Sequence, residues 1–295
     1  MILNIDPKVD YAFKHVFGKN ETRAILIDLL DSVLNSPPAQ RIRDIELQNP
    51  FNPKETLDDK LSILDIKARD QSGRHFNVEM QMLAHRYYEK RILYYWAKLY
   101  QQQLHEGQDY LELRPTISIS FLDRVLFPEV ADYHLRFRLL EEKGHFPCTE
   151  DMEFHMLELP KFTKSVEELA KGLDIWLYFL RHAAKMDVDA VPAALKQPLV
   201  LRALEELKML TQDDVERERY EARRKAQLDL NTGLKVARQE GHQEGRLEGE
   251  KRGKIEIIHL CERLLKRPET PDTALATLPL DDLTQLADDL QAQIR

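Results

Sequence analysis

Between Leu61 and Gln81 two runs, LSILDIKARD and HFNVEMQ, flank the turn residues Gln71-Ser72-Gly73. Alternation on both sides of such a turn confines the stretch to an antiparallel hairpin. Residues two apart in a strand share a face. Asp65, Lys67 and Arg69 therefore face one way and Leu64, Ile66 and Ala68 the other, while His75, Asn77, Glu79 and Gln81 oppose Phe76, Val78 and Met80. A turn symmetric about Ser72 sets Asp65 opposite Glu79, Lys67 opposite Asn77, and Ile63 opposite Gln81. Carboxylates across a ladder have Cβ atoms about 5 Å apart and repel unless a cation joins them. Oxygen ligands of this kind suit Mg²⁺, or Mn²⁺. The same acids can instead decorate a solvated sheet face, and a one-residue slip would separate them.

The flanks predict what the hairpin joins. Two short helices come first, one carrying Tyr11, Phe13 and Phe17, the other running from Asn20 through Ile25, Leu26, Leu29, Leu30 and Leu34 until Pro37-Pro38 stops it. IRDIEL reads as a strand ahead of the hairpin. A long amphipathic helix over about 85–104 holds Tyr88, Leu93, Tyr95, Trp96, Leu99 and Tyr100, and PTISISFL, YHLRFRLLEE and MEFHMLELPKF read as further strands. From Ser165 the pattern is helical almost to the end, with LDIWLYFLRHAAK packing on the sheet. Pro192 and Pro198 mark a joint.

At 295 residues the chain is long enough for about two domains. The expected division is a first domain over 1–190, an extended charged helical arm over 191–265, and a small helical element over 266–295. In the arm Gly233, Ala237, Gly241, Gly245, Gly249 and Gly253 recur every four residues and form a slowly rotating stripe on a helix. Each glycine costs about 1 kcal/mol there relative to alanine. Two readings stay open: a groove that admits a second backbone and gives a homo-oligomer, or a frayed low-complexity linker.

Composition bounds the function classes. A net charge of -8 argues against the whole chain acting as an electrostatic glue for nucleic acid, so such a partner must meet a local basic surface. Cys148 and Cys261 stand in no CxxC or Cys/His spacing, which signals neither a disulfide framework nor a zinc site. No apolar run approaches the roughly 18 residues of a membrane span, and MILNIDPKVD lacks the pattern of a secretion signal. The expectation is a soluble, cytoplasmic protein with no membrane partner. The ten histidines and two cysteines show no nucleophile-and-base arrangement.

Asp65, thirteen residues, then Glu79-Met80-Gln81 resembles the PD-(D/E)XK nuclease signature, with Gln81 where lysine is more common. Together with DPKVDYAFKHVFG, YYEKRILYYWAKLYQQQL and PTISISFL, the pattern from Asp6 to Phe162 is similar to the Rpn family of recombination-promoting nucleases, often labelled transposases. The resemblance implies an α/β fold: a restriction-endonuclease-like αβββαβ core, a mixed sheet flanked by helices, ahead of the helical arm. It also implies divalent-metal-dependent DNA cleavage, in recombination or mobile-element biology. Asp65 and Glu79 would hold the metal with the Met80 carbonyl, Gln81 would orient water, and Asp10 would be a further acid. Lys67, sharing Asp65's face, is the candidate for the positive charge that Gln81 lacks, or else simply a salt-bridge partner of Asp65; Lys60 is a weaker candidate. Arg86 and Lys90, one turn apart, with Lys14 on the first helix, are candidates for DNA phosphates or plain solvated helix faces. The alternative is a nuclease-fold module that grips DNA or protein without cutting, with a helical oligomerisation arm.

Overall fold

The computed structural model describes residues 2–49, 51–52, 62–63, 65–82, 87–170 and 172–294. Its strands are β1 (Ile45–Gln48), β2 (Phe51–Asn52), β3 (Ser62–Ile63), β4 (Ile66–Asp70), β5 (His75–Gln81), β6 (Thr116–Leu122), β7 (His134–Arg138) and β8 (Met152–Glu158). The α-helices are α1 (Asp10–Phe17), α2 (Arg23–Leu34), α3 (Tyr88–Gln101), α4 (Leu173–His182), α5 (Pro198–Gln212), α6 (Asp214–Leu264), α7 (Asp272–Leu275) and α8 (Leu280–Ala292). Six strands form one mixed sheet in the order β1-β4-β5-β6-β8-β7. β4 lies between β1 and β5 and runs antiparallel to both, β5, β6 and β8 run parallel, and β7 closes the edge antiparallel to β8. Helix α3 makes the crossover that a parallel β5–β6 pair requires. This is the mixed sheet flanked by helices expected from the sequence.

The hairpin register has a local cause. Gly73 sits at φ +87°, and the Asp70 carboxylate accepts hydrogen bonds from the Ser72 and Arg74 backbone N–H groups, both at 2.9 Å. Arg74 Nε closes the turn on Asp70 Oδ2 at 2.7 Å. A three-residue turn with glycine in the left-handed region fixes which residues pair. Lys67 stands opposite Asn77 and Ile66 opposite Val78, the register that symmetry about Ser72 implies. One part of the expectation fails: Ile63 pairs with Phe51 in a separate two-stranded sheet, not with Gln81, and the strand restarts at Ile66.

The two faces of the sheet are buried differently. Phe76, Val78 and Met80 of β5, with Ile117, Ile119 and Phe121 of β6, join a core built from α1, α2, α4 and α5. Phe13 meets Phe121 at 6.1 Å between ring centroids, and Phe17 meets Trp176 at 5.6 Å. On the opposite face α3 lays Tyr88 and Ile92 against Leu122, Phe154 and Met156.

The chain divides into a unit of Met1–Leu228 and one of Asp229–Arg295. A boundary near 190 therefore falls inside the first unit. Val200, Ala203, Leu204, Leu207 and Leu210 recur at helical spacing and are buried in the main core, as is Tyr220 at the start of α6, whose Oη accepts a hydrogen bond from the Asp6 N–H at 2.8 Å. Pro198 is the first residue of α5, a place that proline favours, so it opens a helix instead of separating domains. The second unit has its own small core, Ile258 and Cys261 of α6 against Leu275, Leu283, Ala287 and Leu290. Residues 266–295 are thus joined to the end of the charged helix instead of forming a separate element. No described helix is long and apolar enough to cross a membrane.

Candidate active site

The polar side chains of β5 face α3. Asn77, Glu79 and Gln81 are 1%, 3% and 8% exposed, so the acid is sealed beneath a helix and not solvated. Ser118 and Ser120 of β6 stand beside Asn77 and Glu79 in the parallel register and extend this buried polar row. Such a row is costly unless each group finds a partner. Gln81 Nε2 donates to Glu79 Oε2 at 3.0 Å, and Asn77 Nδ2 to Glu79 Oε1 at 3.4 Å. Tyr88 Oη donates to Ser120 Oγ at 2.8 Å.

Asp65 lies just ahead of β4. Its Oδ2 accepts from the Met80 N–H at 2.9 Å, and its Oδ1 pairs with Lys14 Nζ at 3.1 Å. In a strand the N–H and C=O of one residue point to the same neighbour, so the Met80 carbonyl also looks toward the Asp65 side. The two acids are close enough to act on one another. Burial, reinforced by the Asp65 charge, pushes the Glu79 carboxyl up to about 7, against the pull of Arg91 and the Asn77 and Gln81 amides. Burial also raises Asp65, opposed by Lys14 and the Met80 N–H and aided by the charge of Asp10.

The remaining candidates disperse. Lys67 does not pair with Asp65. Its Nζ reaches Gln102 Oε1 at 3.4 Å under α3, and burial lowers its pKa. Asp10 makes its hydrogen bond to its neighbour, the Tyr11 N–H at 2.8 Å, and reaches Asp65 only through its charge. Lys90 is exposed and lies 5.2 Å from the Tyr87 ring centroid. Lys14 is in the site as the ion-pair partner of Asp65. Arg86 and Lys60 lie outside the described residues. A cavity of about 650 Å³ opens near the hairpin turn, lined by residues such as Gln40, Arg74 and Arg136, and neither carboxylate lines it.

Arg91 was not among the residues singled out from the sequence, yet its Nη2 lies 3.8 Å from Glu79 Oε2. A signal existed. Tyr88, Arg91, Ile92, Tyr95, Lys98 and Leu99 follow the spacing of a single helix face, which places two cations on the stripe that faces inward. Lys98 is 8% exposed, and its Nζ finds no hydrogen-bond partner.

Among the described residues no three His, Cys, Asp or Glu side chains converge to hold a metal. The donor set still fits a hard divalent cation, which commonly takes one or two carboxylates and completes its shell with water and substrate oxygens. Two mutually repelling carboxylates, Glu79 buried and Asp65 partly so, with a carbonyl on the same side, are that set.

Comparison with known proteins agrees with the geometry. The model of the PD-(D/E)XK nuclease family transposases matches residues 7–237. No curated protein and no solved structure matches the chain. With the match spanning the whole mixed sheet and well over half the sequence, the chain belongs to the PD-(D/E)XK nuclease family transposases.

Proposed function

We propose that the protein is a divalent-metal-dependent DNA endonuclease, using Mg²⁺ or Mn²⁺, that serves DNA recombination or mobile-element biology in the cytoplasm. The observation that carries this reading is the closeness of Asp65, held on the Met80 N–H, to Glu79, which is raised to about 7 by burial and by that neighbouring charge. An acid so placed has its anionic form stabilised by a bound cation. Asp65, Glu79 and the Met80 carbonyl would hold the ion. When bound, it polarises a phosphodiester and makes hydroxide available near neutral pH.

The protein groups divide the rest of the work. Asn77 and Gln81 fix the Glu79 carboxylate by their amides, and the Gln81 side-chain Oε1 is left to accept a hydrogen bond from the attacking water and orient it. Lys14 holds Asp65 and supplies positive charge at the position where Gln81 has none. Incubation with supercoiled plasmid across Mg²⁺, Mn²⁺, Ca²⁺ and EDTA tests the reading. Nicking in Mg²⁺ or Mn²⁺ that is lost in EDTA, and lost in Asp65→Ala and Glu79→Ala, is expected; full activity in both variants would falsify it.

Gln81 favours a second reading. Its amide is spent on Glu79 and it brings no charge, which suits a module that grips DNA without cutting it. Retention of DNA in EDTA with no product in any metal separates this from the first. Homo-oligomerisation belongs to the proposal as well. The glycines of α6 at 233, 241, 245, 249 and 253 have open space where a Cβ would stand, and Leu234, Val236 and Leu247 are exposed on the same helix. Sedimentation of the full chain against a truncation at 225 would show a change of oligomeric state.

A further inference from the structure

Two arginines around Tyr88 carry donors that the protein does not use: Arg91, whose charge acts on the Tyr88 hydroxyl, and Arg124, which lies against its ring. Arg91 Nε is buried without a hydrogen-bond partner, and Arg124 is so at both Nε and Nη2. Burying a guanidinium N–H with no acceptor costs free energy, because water is lost and nothing replaces it. Among the described residues Arg124 has no carboxylate within ion-pair distance, and Arg91 has only Glu79, at 3.8 Å. Glu79 therefore takes the Nη2 end of Arg91 and leaves its Nε without an acceptor.

Their positions are nonetheless fixed. The Arg91 Cζ lies 5.1 Å from the Tyr95 ring centroid, and the Arg124 Cζ lies 5.6 Å from that of Tyr88. Tyr88 is itself pinned through its hydroxyl to Ser120, the residue beside Glu79 in the ladder. Planar guanidinium groups resting on aromatic faces keep their donor forks oriented. Arg124 also stands just past the carboxyl end of β6, and the Asp123 N–H before it donates to the Gln81 carbonyl at 2.9 Å, which ties that loop to the end of β5. The carboxyl ends of parallel strands are where open α/β sheets receive ligands.

We propose that Arg91 and Arg124 form an oxyanion site for a phosphodiester of the bound nucleic-acid strand, adjoining the Asp65–Glu79 centre. A phosphate offers several oxygens and can accept forks from two arginines together, and the pairing suits a guanidinium better than an ammonium. The assignment rests on the nuclease reading for the identity of the strand, but its chemistry is testable without cleavage.

The test uses the full chain and a short fluorescein-labelled duplex in Ca²⁺, titrated by anisotropy at several salt concentrations. Arg124→Gln and Arg91→Gln are each expected to weaken binding about tenfold or more and to reduce the salt slope by about one phosphate contact. Arg124→Lys, which keeps the charge and loses the fork, should recover only part of the affinity. Inorganic phosphate should raise the melting temperature of the parent protein more than that of the doubly substituted Arg91→Gln/Arg124→Gln chain. Unchanged affinity and salt slope in both single Gln variants, each melting cooperatively, would overturn the site. If either fails to melt cooperatively, the Lys variant decides: full parental affinity overturns the proposal and partial affinity sustains it. A parent chain that never nicks plasmid but shows these losses overturns the enzyme and sustains the anion site. A parent chain that nicks with an unchanged KM in the variants does the reverse.

Discussion

The two faces of β5 are both buried, and they are buried for opposite reasons. Phe76, Val78 and Met80 meet a continuous apolar core, where each contact favours folding. Asn77, Glu79 and Gln81, one residue out of phase, lie under α3 in a row of amides, hydroxyls and charges whose burial opposes folding. One strand thus holds a stabilising face and a destabilising face back to back. The apolar face supplies the rigidity that lets the polar face hold Glu79 in place against the neighbouring charge of Asp65.

Substitutions on the two faces should therefore move stability in opposite directions. The largest effect belongs to the apolar side. Phe76→Ala removes a fully buried ring and should lower the unfolding free energy by about 3–5 kcal/mol, read as a fall in the denaturant midpoint at unchanged slope. On the polar side Glu79→Gln should stabilise the metal-free protein at pH 8. A carboxyl raised from 4.5 to about 7 favours the native state fully below pH 4.5 and loses that contribution as pH rises through about 7. The anion then costs about 3 kcal/mol, which the amide avoids. Melting curves of parent and variant should converge near pH 4 and separate by several degrees at pH 8. Equal melting temperatures at both pH values would mean that Glu79 is not strained by its surroundings. The smallest effect is that of Tyr88→Phe, which removes the hydrogen bond to Ser120 and should cost about 1 kcal/mol by the same denaturant measurement.

What the sequence discloses about this strand follows from range. The hairpin register is legible because its determinants, Asp70, Ser72 and Gly73, lie between the strands they align. The cations around the acids are not, because they arrive from elsewhere: Lys14 from α1 and Arg91 from α3. Lys67, near Asp65 in sequence, looks the better partner until α3 is placed over it and Gln102 takes its ammonium group. The same limit explains the boundary. Pro192 and Pro198 announce a break in the chain, but only packing reveals that Val200, Leu204 and Leu207 return to the first core. The helical character of the glycine-stepped segment is legible from its spacing, whereas what covers its open stripe depends on contacts that spacing alone does not encode.

The claim common to all of this is that strands β4 and β5 bring Asp65 and Glu79 to one cation. Calorimetric titration of Mn²⁺ into the full chain, and into Asp65→Asn and Glu79→Gln, tests it most directly. A shared site gives saturable binding to the parent protein that either substitution alone abolishes or weakens at least tenfold. Mn²⁺ binding of unchanged affinity and stoichiometry in both variants would contradict it.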